Sequence, residues 1–281
     1  MNIKVTERGR NLITWLIPHI RLMDVKRIGF QLSGCYGQEA IAEVSKPKGG
    51  FFKDRQQSDL EHCAGCMYLI IGLSIFYPEI FTPLSKAEAA RYGGERSVFK
   101  LLMRLLGDHE LGELKSGDIA SDGTRNEAKK DQEELEFVMN LCKLCKMPSE
   151  DLVLIVILFK EMQEKSSRLG KTGYLIDKVD AVLFNLYLES IGKTGWTNAK
   201  PNVTELDLKA YGITEDMRAA DIWLCNMLIT NPQLVLFEFT KLFLEIVVSF
   251  AADVRDNPNP MPWLNPLVDK LRTQELSKKP T

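Results

Sequence analysis

The chain has 281 residues, of which 45% are hydrophobic, enough to bury a sizeable core in one large domain or two small ones. Its net charge of -2 excludes an overall basic field, so we expect no stable binding of nucleic acid. The longest uninterrupted apolar run covers residues 152–159, far below the roughly 18–20 residues of a membrane span, and the N-terminus lacks a secretory signal pattern. We therefore expect a cytoplasmic protein with no membrane association.

Helical periodicity dominates the chain, and signals for strands are weak and short. Helices are predicted over 7–28, 58–77, 85–106, 131–146, 149–165, 172–191, 214–229 and 232–254. A Pro-rich tail follows, and its last residues are charged. These patterns predict an all-α protein, with one compact multi-helix bundle over residues 1–195 and a C-terminal helical extension, residues 196–281, packed on it.

The segment over residues 107–118 concentrates chemistry in a chain that has only three histidines. From residue 109 to residue 118 it combines His109 with three carboxylates, those of Glu110, Glu113 and Asp118. His62 lies upstream at the head of an apolar helix, and Asp177 lies downstream in another. Two imidazoles and carboxylates from separate helices are the ligands of a divalent transition metal, and the mixture suits Mn, Fe, Co, Ni or Zn more than Mg.

Spacing within this segment separates the carboxylates. His109 and Glu110 are adjacent, so on a helix they point about 100° apart and reach one ion only near the helix edge. Glu113 follows His109 by four residues and shares its face, where a general base beside an ion would stand. Gly117 allows a turn from which Asp118 projects.

The segment over residues 109–118 resembles the His-Asp-x-x-Glu-x-x-x-Gly-Asp motif of the HD-domain phosphohydrolases, and more narrowly the branch that contains bacterial 5'-deoxynucleotidases. In that branch a Glu-His-Ser type segment carries the first metal ligand, and Glu61-His62-Cys63 resembles it. An Asp-Lys-Leu-Glu type segment carries the last ligand, and Asp177-Lys178-Val179-Asp180 resembles it. The resemblance covers about residues 50–190, so it implies an HD-domain bundle for this part of the chain.

Carried over position by position, the resemblance implies a role for seven residues. The metal ligands would be His62, His109, Glu110 and Asp177. Glu113 would position or deprotonate the attacking water, Asp118 would contact the substrate or the catalytic water network, and Arg55 would hold phosphate oxygens. The implied reaction is hydrolysis of a nucleotide phosphate ester, that of a (deoxy)nucleoside 5'-monophosphate first, by in-line attack of a water bound to a divalent transition metal.

One departure from the family pattern keeps other functions open. Glu110 stands where the family has aspartate, so its carboxylate sits one methylene further out. A weakly active or inactive binding or regulatory protein with the same fold is therefore an alternative, and a dNTP triphosphohydrolase is another. Asp177 by itself also fits an aspartate that interacts with a helix dipole.

The remaining features have two interpretations each. The pairs Cys63/Cys66 and Cys142/Cys145 have the spacing of zinc ligands, but they lie in apolar helices, where small core residues are the simpler interpretation. Cys66 follows His62 by one turn, which places it against the metal pocket. The apolar face over residues 232–250 fits either a core or the interface of a homodimer, which the resemblance to that branch also implies.

Overall fold

The computed structural model describes residues 2–13, 59–112, 127–144, 146–190 and 218–278. Every regular element within these ranges is helical, and none is a strand. The all-α prediction is confirmed for this part of the chain. The boundary near residue 195 and the assignment to the HD-domain fold stay predictions.

Ten α-helices make up the described ranges. They are α1 (7–13), α2 (Asp59–Phe76), α3 (Lys86–Ala89), α4 (Val98–Asp108), α5 (Glu127–Leu144), α6 (Ser149–Glu164), α7 (Arg168–Ser190), α8 (Ala219–Thr230), α9 (Thr240–Arg255) and α10 (Leu264–Ser277). Short 3-10 turns cover Pro78–Phe81, Ala90–Tyr92, His109–Gly112 and Pro232–Leu236.

Helix α7 is the centre of the packing, since it contacts α2, α4, α6, α8 and α9. Its buried apolar residues recur at helical spacing on more than one face, as in Leu175, Ile176, Val179, Val182 and Leu183. Buried apolar residues from α1 to α10 join in one cluster with them. Side chains of α7 that point toward α2 and α4 therefore meet residues from far upstream in the chain.

The prediction of one continuous helix over 85–106 is wrong. The capping box between Ser85 and Glu88 forms, with Ser85 Oγ accepting from the Glu88 amide and the Glu88 carboxylate accepting from the Ser85 amide. The chain then turns at Gly93 and Gly94, which have φ of 64° and 87°. These left-handed conformations favour glycine and end a right-handed helix, so α4 begins anew after the N-cap Ser97.

The prediction of one helix over 232–254 is also wrong. A 3-10 turn over Pro232–Leu236 comes first, Phe237 is extended, and α9 covers Thr240–Arg255. Much of the apolar face over 232–250 lies in the core of the chain, including Leu234, Phe243, Ile246 and Val247. Much of this face is therefore core, as one of its two interpretations predicts, and the homodimer stays a prediction.

The Pro-rich tail contains a helix that the periodicity argument did not predict. Helix α10 covers Leu264–Ser277 and buries Leu264, Leu267, Val268 and Leu271 on one face. Pro266 lies in its first turn, where the backbone N–H groups have no partner within the helix, so the missing N–H costs nothing.

The two ends of the described chain pack together. Asn265 in α10 accepts from the backbone N–H of Ile3 at 2.8 Å and donates to the carbonyl of Ile3 at 3.0 Å.

Across the described ranges, no helix has both the length and the apolar character to cross a bilayer.

Candidate metal centre

Three helical segments bring together the four side chains expected to bind a metal. His62 lies near the start of the described part of α2, and His109 and Glu110 lie where α4 passes into a 3-10 turn. Asp177 lies in the middle of α7, so the helix-dipole interpretation of this residue does not apply. One donor atom from each residue lies within 4.8 Å of the other three, a group that can hold a metal ion.

The 3-10 turn over His109–Gly112 explains how two adjacent residues reach one point. The chain leaves the α-helical path at His109. In this turn the Glu110 carboxylate lies beside the His109 ring, with its Oε1 2.9 Å from His109 Nε2. The same oxygen lies 3.6 Å from His62 Nε2. The longer glutamate side chain therefore reaches the centre from its position in this turn.

Asp177 Oδ1 closes the group from the opposite helix. It lies 2.8 Å from His62 Nε2 and 3.7 Å from His109 Nε2. The four side chains are 6–19% exposed, so the group is largely shielded from water. Shielding strengthens the attraction between these groups and a cation.

Both histidines point the same nitrogen at the centre. Nδ1 of His62 donates to Asp180 Oδ2 at 2.8 Å, and Nδ1 of His109 donates to the Leu106 carbonyl at 2.9 Å. With the proton on Nδ1, the lone pair of a neutral imidazole is on Nε2. When the imidazole is neutral, each Nε2 therefore directs its lone pair toward the centre, as a metal-binding histidine does.

His109 Nε2 tests whether a cation fits here. This nitrogen is buried and makes no hydrogen bond to the described residues, although Glu110 Oε1 lies 2.9 Å away. A buried polar atom without a partner is unfavourable by about 1–3 kcal/mol. A cation between the two Nε2 atoms and the two carboxylates would satisfy it, so the donor set fits a metal ion.

The charges around the centre support the same conclusion. The carboxylates of Glu110, Asp177 and Asp180 face one ammonium group, that of Lys178, whose Nζ lies 2.9 Å from Asp177 Oδ2. With both histidines neutral, the group carries two net negative charges. Either one divalent cation or two protons on the histidines balance them.

The histidine pKa values reflect the need for those protons. Burial acts to lower the pKa of His62, but the hydrogen bonds to the Asp177 and Asp180 carboxylates raise it well above its ordinary value. Burial likewise opposes protonation of His109, and Asp177, Cys63 and Glu110 raise its pKa well above the ordinary value.

Asp177 stays ionised in this setting. Burial by itself would raise the pKa of its carboxyl, but Lys178 and then the two histidines hold that pKa well below its usual range. Burial would also deprotonate Lys178, but Asp177 raises the pKa of this ammonium. The aspartate is therefore available as an anionic ligand at neutral pH.

Cys66 lies against the centre, as its spacing from His62 predicted. Its Sγ is 3.8 Å from His62 Nε2, and it forms a second group with His62 and His109 that can hold a metal. Burial and the charge of Asp180 raise the pKa of its thiol to about 12, so the metal-free protein keeps it protonated. Cys142 is buried in α5 and enters neither group, and Cys145 lies outside the described residues.

A cationic rim borders Asp177 on the side of α7 that carries Tyr174. Nζ of Lys165 lies 4.4 Å from the centroid of the Tyr174 ring, and Nζ of Lys178 lies 5.6 Å from it. Burial and then the charge of Lys178 lower the pKa of Lys165. Both ammonium groups therefore lie near the Tyr174 ring, and their positive charge favours a nearby anion.

Three predicted site residues cannot be placed by this structure. Arg55, Glu113 and Asp118 lie outside the described residues. Their roles stay predictions from the resemblance.

Two residues of the centre went unassigned in the sequence. Lys178 and Asp180 are part of the segment that resembles the last-ligand motif, but spacing gave neither a role. The available signal was the interval from Asp177 to Asp180, since residues three apart on a helix share a face.

Comparison with known family models, curated proteins and solved structures gives no match to this chain.

Proposed function

We propose that this chain is a metal-dependent phosphohydrolase of the HD-domain type that cleaves the phosphate ester of a nucleotide. The observation that carries the proposal is the convergence of His62, His109, Glu110 and Asp177, with both Nε2 lone pairs and both carboxylates directed at one point. Mixed nitrogen and oxygen donors favour Mn, Fe, Co, Ni or Zn as the ion. A deoxynucleoside 5'-monophosphate is the first substrate proposed, following the branch that the sequence resembles.

His62, His109, Glu110 and Asp177 would hold a divalent ion, which would lower the pKa of a water molecule and neutralise charge on the phosphoryl oxygens. The protein supplies the rest. Asp180 and the Leu106 carbonyl keep the two imidazoles in the orientation that binds the ion. Lys178, beside Asp177, and Lys165, near the same Tyr174 ring, would place positive charge where the phosphate approaches.

The proposed chemical step is an in-line displacement at phosphorus. Water oxygen forms the new P–O bond, and the bond from phosphorus to the 5' oxygen of the sugar breaks. Glu113 accepts the proton of the water, and the departing sugar oxygen takes up a proton to become a hydroxyl. Arg55 neutralises the phosphate, and Asp118 contacts the substrate or the catalytic water network. The roles of these last three residues are taken from the resemblance.

Measurement of metal content and of phosphate release tests this function. Wild-type protein should bind about one transition metal ion per chain, His109→Ala should lose it, and Cys142→Ala should keep it. With Mn, Co or Ni added, the wild type should release phosphate from at least one nucleotide in a panel of ribo- and deoxyribonucleoside mono- and triphosphates. Absence of turnover on the whole panel by metal-loaded protein would overturn the proposed activity and leave a metal-binding protein without it.

Glu110→Asp is the sharpest variant for the same assay. In this structure the glutamate carboxylate reaches both histidines, at 2.9 and 3.6 Å. Removing one methylene withdraws it by about 1.5 Å, far outside the roughly 0.2 Å tolerance of a metal–ligand distance. We expect metal affinity to fall by about tenfold or more, which is about 1.4 kcal/mol. An unchanged affinity would show that Glu110 is not a ligand.

A further inference from the structure

Asp180 is a second carboxylate that helix α7 directs at His62. Asp177 and Asp180 are three residues apart, so they lie on one face of the helix. Asp177 Oδ1 lies 2.8 Å from Nε2 of His62, and Asp180 Oδ2 lies 2.8 Å from Nδ1 of the same ring. The imidazole is therefore contacted at both nitrogens by one helix, although His62 and Asp180 are 118 positions apart in the sequence.

The contact at Nδ1 decides which nitrogen can bind a metal. A neutral imidazole carries one proton, and a carboxylate at Nδ1 accepts a hydrogen bond only if the proton is on that nitrogen. The lone pair is then on Nε2, on the side of Glu110 and Asp177. The hydrogen bond also restricts rotation of the ring, because the carboxylate of Asp180 is itself buried at 6% exposure.

Gly65 provides the space that this carboxylate occupies. A Cβ at position 65 would lie 2.4 Å from Asp180 Oδ1 and 2.8 Å from its Oδ2, closer than real Cβ atoms come. Glycine inside a helix is less stable than alanine, and position 65 lies inside α2, one turn after Glu61 and three residues after His62. Glycine at position 65 therefore lowers the stability of α2, but it leaves the space that the carboxylate of Asp180 occupies.

We propose that Asp180 is a positioning residue of the metal centre, which holds His62 with its Nε2 lone pair toward the ion. The absence of a side chain at Gly65 leaves the space that the Asp180 carboxylate needs for this contact. This inference rests on the proposed metal site and adds to it a residue that does not touch the ion. Carboxylates in this position fix the tautomer and orientation of a ligand histidine, and their loss typically lowers metal affinity by about 10–100-fold.

Cobalt binding measured by calorimetry and by visible absorption tests the proposal. Asp180→Ala should weaken Co(II) binding by about 10–100-fold and change the absorption spectrum of the saturated protein. Asp180→Asn keeps an oxygen that accepts from Nδ1, so it should restore a large part of the lost affinity. Gly65→Ala should weaken binding in the same direction as Asp180→Ala, because it displaces the carboxylate.

Gly107→Ala is the matched control. It also replaces a helical glycine near the centre, but among the described atoms the new Cβ would meet only Met67 Sδ, at 4.0 Å. Its cobalt affinity and spectrum should equal those of the wild type. In the zinc-loaded protein, nitrogen NMR of His62 should show a protected Nδ1–H that Asp180→Ala loses, a change that a merely structural role would not produce.

The outcomes separate this inference from the proposed function. If the wild type binds cobalt and Asp180→Ala binds it with equal affinity, an equal spectrum and a protected Nδ1–H, the positioning role is wrong while the metal site stands. If the wild type binds no metal, the positioning role and the proposed metal site are both wrong. If it binds cobalt and Asp180 acts as proposed but no nucleotide is hydrolysed, only the proposed activity falls. Should Asp180→Ala fail to fold, Gly65→Ala and Asp180→Asn replace it. Gly65→Ala should lose cobalt affinity, and Asp180→Asn should keep a large part of it.

Discussion

His62 and His109 are the residues whose charge decides how the centre behaves with and without a metal. Their pKa values are raised well above the ordinary value of 6.5, because the neighbouring carboxylates outweigh the effect of burial. Without metal, their protons neutralise Glu110 and Asp177. With metal, those protons must leave, since only the neutral imidazole binds the ion.

This exchange predicts opposite pH trends for two states of the protein. The raised pKa values stabilise the metal-free fold fully below about pH 6.5, and this contribution is lost as pH rises through the folded-state pKa values. Metal affinity should rise over the same interval, because fewer protons compete. The lowered pKa of Asp177 adds a contribution that is present above about pH 4 and lost as pH falls through the folded-state value.

Urea unfolding from pH 6 to 9 measures both trends. In chelator, the unfolding free energy should fall as pH rises, relative to a His62→Gln, His109→Gln double variant that lacks the titrating groups. In excess cobalt, the difference between loaded and chelated protein should grow with pH. Parallel curves for the two states would contradict the proton–metal exchange.

Among the secondary-structure elements, α6 and α7 approach each other closely at the start of α7, the helix that carries Asp177. A Cβ on Gly170 would lie 2.0 Å from the Glu161 carbonyl oxygen, a backbone atom of α6 that cannot rotate away. At this point the two backbones can come so close only because α7 has no side chain there. Gly170, which has no side chain, therefore permits the close spacing of α6 and α7 at this contact.

Gly170→Ala should destabilise the protein by about 1–3 kcal/mol, since it forces the two backbones apart. Gly107→Ala, where the new methyl group has room among the described atoms, should stabilise it by about 0.5–1 kcal/mol through helix propensity. Chemical denaturation of the two variants beside the wild type measures this contrast. Equal effects at the two positions would show that the close contact of α6 with α7 is not limiting.

Across the fold, one buried arginine joins four parts of the C-terminal half. The guanidinium of Arg255 at the end of α9 donates to both oxygens of Glu189 in α7 and to both oxygens of Asp221 in α8. The same guanidinium also donates, at 2.9 Å, to the carbonyl of Pro260, which lies in the loop before α10. The three charged side chains are only 5–8% exposed, so the pairing is shielded from solvent.

Removing this arginine leaves two buried carboxylates without their common cation. Arg255→Ala should cost about 3–5 kcal/mol of unfolding free energy. Arg255→Lys should not restore it, because an ammonium lacks the planar fork that serves both carboxylates. The surface pair Arg10–Asp253, with side chains about half exposed, is the control, and Arg10→Ala should cost about 0–1 kcal/mol. Similar losses for Arg255→Ala and Arg10→Ala would contradict the structural role of the buried cluster.

Much of the local structure is predictable from the residues themselves. Apolar spacing predicts an all-helical chain, and Ser85 with Glu88 predicts a capping box that forms. The helix break near Gly93 was not predicted, although the pair Gly93-Gly94 is itself a turn signal. The break near Phe237 was not predicted because apolar residues continue across it. Helix α10 was not predicted, because the C-terminal residues were described only as a Pro-rich tail, whereas Pro266 occupies the first turn of this helix, where proline is tolerated.

For the site, residue chemistry and the resemblance to a family motif selected His62, His109, Glu110 and Asp177, and these four converge. The sequence by itself thus determined the helices and the donor types, because helix propensity, capping and ligand chemistry depend on neighbours in the chain. Only the tertiary structure decided that Asp180 meets His62 at Gly65 and that a 3-10 turn brings Glu110 to the centre. These contacts join residues from α2, α4 and α7, and their distances follow from how those helices pack, which no local pattern contains.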